Sequence, residues 1–195
     1  MDMTTPMTLW LVRHAPVLAD PGLCYGATNL PADASATRAA AERLARSLPE
    51  GTRVVSSMLQ RCELLAQTIL GLRPDLIYTV DDRLREMDFG SWELRPWDEV
   101  PRADMDAWLA DFADARPGGD GESVRALMTR VGAAWDEAVA APPAPTLWVT
   151  HAGVMRAALL LSQGVRLPAQ AADWPDVALA FGELVQLPMP SFQKA

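Results

Sequence analysis

The sequence is poor in the side chains that most often bind metals or cross-link a fold. Its 195 residues include two histidines and two cysteines. Cys24 and Cys62 lack the close spacing of a metal motif, and two distant histidines cannot make a zinc site alone. Both thiols are read as reduced and buried or half-buried, because a disulfide is not expected in a reducing compartment. Lysine is nearly absent, arginine carries almost all the positive charge, and the net charge is −8. That balance argues against nucleic acid as a partner, since such binding neutralises phosphates with Lys and Arg. A local basic pocket for a small phosphate ester remains compatible with it. No apolar run is long enough to span a bilayer. Residues 1–8 lack the basic start and apolar stretch of a signal peptide, so no membrane association and a cytoplasmic location are expected.

What is present is a globular composition, half of it hydrophobic, with seven tryptophans. The length favours a single domain over residues 1–195, with enough chain for a sizeable core. Short β-prone runs at Met7 to Arg13, Arg53 to Ser56, Leu76 to Val80 and Thr146 to Thr150 read as strands. Helical patterns lie between them. Ala34 to Leu48 is closed by Pro49 and Gly51. A capping box at Ser57-Met58-Leu59-Gln60 opens a helix from about Met58 to Leu70, ended by Gly71. Asp104 to Ala113 reads as a short helix, Glu122 to Ala140 as a long amphipathic one, and Val154 to Leu161 as an apolar one. Val177 to Leu187 reads as a last strand or hairpin, with a tail from Pro188. Residues 15–33 and 81–102 read as long loops, the second with one helical turn. The alternation of strand and helix implies a three-layer α/β/α sandwich with a mainly parallel central sheet.

Each histidine sits where an apolar strand runs out, at Val12-Arg13-His14-Ala15 and Val149-Thr150-His151-Ala152. Strand ends in α/β proteins carry reacting groups, and helix N-termini beside them bind anions. A neutral imidazole can attack phosphorus and hold the phosphoryl group covalently. The charge on the transferred group calls for pre-arranged donors. Arg13 beside His14, Arg61 in the first turns of its helix, and His151 before another helix start supply them. The leaving alkoxide needs a proton. Glu86 is the candidate acid, because its long loop could fold over a pocket; Asp81, Asp82, Asp88 and Glu93 lie close to it in sequence, and a loop carboxylate is usually solvated. Gly118-Gly119-Asp120-Gly121 lacks the Lys-Ser/Thr ending of a P-loop and reads as a turn. Trp92 and Trp97 are read two ways: stacking on a substrate base, or anchoring their loop. Trp108, Trp135 and Trp148 read as core.

Four segments in collinear order resemble the histidine phosphatase, or phosphoglycerate-mutase-like, superfamily. They are Leu11-Val12-Arg13-His14-Ala15, Ser56-Ser57-Met58-Leu59-Gln60-Arg61, the stretch from Leu84 to Glu93, and Val149 to Val154. The resemblance implies His14 as nucleophile, Glu86 as proton donor, and Arg13, Arg61 and His151 as phosphate ligands. It implies no metal and no organic cofactor, a small-molecule phosphate ester as partner, and room for a homodimer. The stretch from Pro21 to Thr28 with Pro31, Phe89-Gly90 through Trp97, and Gly118 to Ser123 resemble the α-ribazole phosphatase branch, which acts on α-ribazole 5′-phosphate in cobalamin synthesis. Departures are Ala15 and Pro16 after the Arg-His pair, Asn29 in place of an Asp, Leu94 in place of a glycine, and the inserted Asp120-Gly121. They leave the chemistry intact and substrate identity open. Alternatives are a broad-specificity phosphatase, a phosphoglycerate-type mutase and a non-catalytic phospholigand-binding member. The segments from Ala15 to Asp33 and from Met87 to Arg116 are expected to set specificity.

Overall fold

The computed structural model describes residues 8–190. Met7, residues 1–6 and the tail beyond 190 lie outside the described residues, as does most of the segment read for a signal peptide. Five strands form one sheet: β1 (Thr8–Arg13), β2 (Arg53–Ser56), β3 (Ile77–Val80), β4 (Thr146–Thr150) and β5 (Leu184–Pro188), in the order β3-β2-β4-β1-β5. All neighbours are parallel except β5, which runs antiparallel to β1 at the edge. The five helices are α1 (Ala34–Ser47), α2 (Gln60–Leu72), α3 (Arg102–Ala110), α4 (Val124–Ala140) and α5 (Ala152–Ser162).

Strand side chains alternate between two faces, and each face has its own core. Leu9, Leu11 and Trp148 pack with Leu127, Val131, Trp135, Met155 and Ala158 of α4 and α5. Val12, Val54, Leu147 and Val149 pack with Ala41, Leu44, Leu65 and Ile69 of α1 and α2. Strands covered on both sides read as continuous apolar runs, as the fully enclosed Leu147-Trp148-Val149 does. The α/β/α layering expected from the sequence is therefore present.

Several element boundaries differ from the sequence reading, each for a local reason. Helix α2 begins at Gln60 rather than Met58, and its N-cap, Leu59, makes no side-chain cap bond. The Ser57 hydroxyl is engaged with His151 and the Leu59 amide instead. Gly71 lies inside α2; the chain closes after it at Arg73, whose guanidinium bonds the carbonyls of Ala45 and Leu48. At the α2 N-terminus Asn29 Oδ1 accepts from the Gln60 amide at 2.9 Å. Helix α3 starts two residues earlier than expected and ends at Ala110. The 81–102 segment holds three 3-10 turns, not one. From Val177 to Gly182 there is no strand; the segment crosses the end of β1, with Gly182 donating to the Arg13 carbonyl, before β5 begins.

Candidate active site

Parallel pairing brings three strand ends to one edge of the sheet. The register sets Arg13 opposite Thr150 and Ser56 opposite Val149. The next residues continue it: the His14 amide donates to the Thr150 carbonyl and the Ser57 amide to the Val149 carbonyl. His14, Ser57 and His151 thus stand side by side where the strands stop, and the two imidazoles lie 5.1 Å apart, centre to centre.

His14 is buried, and its Nδ1 lies 2.7 Å from the Ala15 carbonyl. A carbonyl can only accept, so Nδ1 carries the proton and Nε2 keeps its lone pair. Burial, with the Arg61 charge second, lowers the His14 pKa to about 3. The ring is therefore neutral in ordinary buffers. Arg13 extends beside it, with its guanidinium 3.7 Å from the centre of the Phe181 ring and Nη1 bonded to the Leu179 carbonyl. The Arg13 Nε–H is buried without a partner.

Arg61 and His151 lie behind His14, both fully buried. Arg61 donates from Nη2 to the Gly26 carbonyl at 2.6 Å, from Nη1 to the Thr28 carbonyl at 2.7 Å, and from Nε towards His151 Nδ1 at 3.3 Å. His151 Nδ1 is then an acceptor, which leaves Nε2–H to donate to Ser57 Oγ at 2.8 Å. Burial first, then the neighbouring His14, holds the His151 pKa well below its ordinary value. The Cys62 thiol packs against His151, and burial pushes its pKa up; Cys24 is pushed up to about 12, again mainly by burial. Both cysteines are free and buried, and both thiols are protonated at neutral pH.

Glu86 approaches from the loop after β3. Its Oε2 accepts from the Gly153 amide at 3.1 Å and its Oε1 from the Met87 amide at 2.9 Å. A Cβ at Gly153 would meet Glu86 Oε1, so a larger residue there would displace the carboxylate. The loop is held from behind by Arg130, which bonds the carbonyls of Arg83, Arg85 and Glu86. Arg130 is itself clamped in a bidentate pair with Glu122 at 2.7 Å, with both side chains largely enclosed.

A cavity of about 750 Å³ opens in front of Arg13, His14 and Glu86. That is a size for a small organic ligand. Its walls include the aromatic rings of Tyr25, Phe89, Trp97, Trp108, Trp174 and Phe181. The two readings of Trp92 and Trp97 divide between them. Trp92 is buried with Cys24 and Val100 and anchors its loop, whereas Trp97 faces the cavity. Trp135 and Trp148 are core as expected, but Trp108 is half-buried and lines the cavity.

Of the five expected site residues, Arg13, His14 and Glu86 reach the cavity. Arg61 and His151 join them through the buried network. The sequence marks Ser57 only as part of a helix cap and Glu93 only as one of several carboxylates near Glu86. Tyr25 lies in the Pro21 to Thr28 stretch that carries the branch resemblance, whereas no motif marks Phe181. Among the described residues no group of three His, Cys, Asp or Glu comes together to hold a metal, and no helix is long and apolar enough to cross a membrane.

Over 170 residues the chain is 32% identical to the adenosylcobalamin/alpha-ribazole phosphatase of Salmonella typhimurium, covering 84% of this chain and 82% of that protein. The protein of the same name from Escherichia coli is 30% identical over 178 residues, with 85% and 82% coverage. The fold matches the crystal structure of TTHB049 from Thermus thermophilus with a TM-score of 0.70, 30% identity and 95% of each chain covered. Fold and site together define an α/β phosphatase with paired histidines at its sheet edge. The family model of the histidine phosphatase superfamily (branch 1) matches residues 9–179, and the chain belongs to that superfamily.

Proposed function

We propose that the enzyme hydrolyses phosphomonoesters by double displacement at His14. The carrying observation is the state of that ring: neutral, with Nδ1–H tied to a carbonyl and the Nε2 lone pair free beside a buried, unpartnered Arg13 N–H. In the first step Nε2 attacks phosphorus, the bond to the ester oxygen breaks, and a protonated Glu86 carboxyl passes its proton to that oxygen. In the second step Glu86 takes a proton from water, the resulting oxygen attacks phosphorus, and the P–N bond breaks to return neutral His14 and release phosphate. Arg13, Arg61 and His151 bind the phosphoryl oxygens. Arg61 keeps one N–H on each of Nη1 and Nη2 beyond those held by the Thr28 and Gly26 carbonyls, whereas His151 reaches a phosphoryl oxygen only when its Nε2–H turns away from Ser57.

The finer reading is that the ester is α-ribazole 5′-phosphate, made and used within cobalamin synthesis. The names of the two relatives support it, and so do the cavity walls. A flat aromatic base suits a pocket faced by Trp97, Trp108 and Trp174 better than a small polyanion would. The partner in this reading is a small phosphate ester.

The test is phosphate release by chelator-treated protein from α-ribazole 5′-phosphate, p-nitrophenyl phosphate and 3-phosphoglycerate, with His14→Ala as control. Strong preference for the ribazole ester, lost in the variant, is expected. Similar slow rates on all three would leave the mechanism and remove the substrate assignment. Transfer of label between phosphoglycerate molecules faster than its release as phosphate would make the enzyme a mutase.

A further inference from the structure

Glu93 stands apart from these five residues, yet its carboxylate accepts four hydrogen bonds beside the site. Its Oε1 accepts from the Ala27 amide at 2.8 Å and the Phe89 amide at 3.0 Å. Its Oε2 accepts from the Thr28 amide at 2.7 Å and from the Thr28 hydroxyl. The carbonyls of the same short segment, at Gly26 and Thr28, are the ones that hold Arg61. The Gly26–Ala27 peptide is therefore gripped at both ends, with its C=O on a guanidinium and its N–H on a carboxylate. A peptide dipole placed between opposite charges is oriented and polarised by both, and each bond strengthens the other. The fit is close. A Cβ at Gly26 would collide with Glu93 Oε1 and the Met87 carbonyl.

We infer that Glu93 is a positioning residue for Arg61, acting through residues 26–28. The inference rests on the reading that Arg61 binds the phosphoryl group. Glu93 fixes the direction of the two carbonyls, and they fix the plane and height of the guanidinium behind His14. Glu93 touches neither substrate nor the reacting atoms. The same carboxylate joins this segment to the Phe89 turn, so the two specificity loops and the phosphoryl-binding arginine are set by one side chain.

Glu93→Gln keeps the shape but turns an NH₂ towards donors, so at least one of the four bonds becomes a clash of donors. The expected result is a fall of about 10- to 100-fold in kcat/KM on p-nitrophenyl phosphate, with a matching loss of orthovanadate affinity, the scale of a lost bond to a charged group. Thr28→Val, which removes a single donor, is expected to cost about 3-fold in both readouts and guards against a Gln variant that does not fold. The deciding measurement repeats both substitutions in an Arg61→Lys background. Because Glu93 works through Arg61, they are expected to cause little further loss there. Losses that multiply in that background, or a melting temperature that falls while rate and vanadate affinity hold, would overturn the inference. If Arg61→Lys is impaired and Glu93→Gln is not, only this inference fails. If Arg61→Lys itself matches the wild type, the phosphoryl-binding reading of Arg61 is wrong and the inference falls with it.

Discussion

His14, Ser57 and His151 stand at the ends of three adjacent parallel strands, whereas Tyr25, Trp97, Trp108 and Phe181 come from separate segments: two irregular stretches, a 3-10 turn and helix α3. The floor is fixed by sheet register and by two buried cores, so its residues have little freedom. The walls are fixed by loop-to-loop bonds: the isolated bridges Val17 to Ala32 and Leu23 to Pro96, and the Glu93 grip on residues 26–28. Chemistry placed on the floor tolerates changes in the aromatic wall side chains, though not in the Glu93 grip, which also sets Arg61. Substrate choice placed on the walls can vary while the floor stays as it is.

The sharpest way to separate floor from wall is to change the leaving group. Glu86→Gln is expected to lower kcat on an alkyl phosphate by roughly 10²- to 10³-fold. Its effect on p-nitrophenyl phosphate should be much smaller, because that leaving group departs without a proton. Steady-state rates on the two esters check this. Equal losses on both would remove Glu86 as proton donor.

Trp97→Ala probes the wall alone. Removing one stacking face is expected to raise KM for the α-ribazole ester by about 10-fold, with kcat on p-nitrophenyl phosphate nearly unchanged. A fall in the rate on the small ester instead would mean that wall and floor are coupled more tightly than the structure indicates.

Acid should act on the floor. His14 titrates at about 3 when folded, against 6.5 ordinarily, chiefly because it is buried. As pH falls, the unfolded chain takes up that proton first, so the contribution to stability is fully present above about 6.5 and is lost on the way down to about 3. His151, lowered in the same direction, adds to the slope. Melting temperatures should therefore fall with acidification through this window, and less steeply in His14→Asn. A variant with an unchanged slope would contradict the burial argument.

The smallest expected effect lies in the wall. Leu94 has φ +64°, the only left-handed non-glycine residue among those described. It is held there by the Leu94 amide on the Cys24 carbonyl and the Cys24 amide on the Arg95 carbonyl. The left-handed conformation costs an L-residue about 1–2 kcal/mol, and glycine gives back part of that gain as chain entropy. Leu94→Gly is thus expected to stabilise the fold by roughly 0.5 kcal/mol, read as a slightly higher urea midpoint. A lower midpoint would show that the half-exposed Leu94 side chain contributes more than the strain costs.

The same contrast governs what could be read from the sequence. Strand ends bearing His14 and His151 were legible, because an apolar run followed by a polar residue marks the end of a buried strand. The layers were legible for the same reason. Ser57 was misread because a serine three residues before Gln60 matches a helix cap, and only the parallel pairing of β2 with β4 shows that its hydroxyl meets His151 instead. Glu93 is not marked out, because one carboxylate among several in a loop has no periodicity to reveal that it is enclosed. Trp108 follows a helical pattern equally well as core or as cavity wall. Phe181 gave no signal, since its place over Arg13 depends on where the chain crosses the end of β1.

The central claim is a phosphoryl group carried on His14. Rapid alkaline quenching during turnover of p-nitrophenyl phosphate, followed by peptide mass spectrometry, tests it directly. The account expects a phosphoryl adduct on the peptide containing His14, mapped to that residue, stable to base, released by acid and absent from His14→Ala. Turnover with no adduct on His14, or an undiminished rate in His14→Ala, would contradict it.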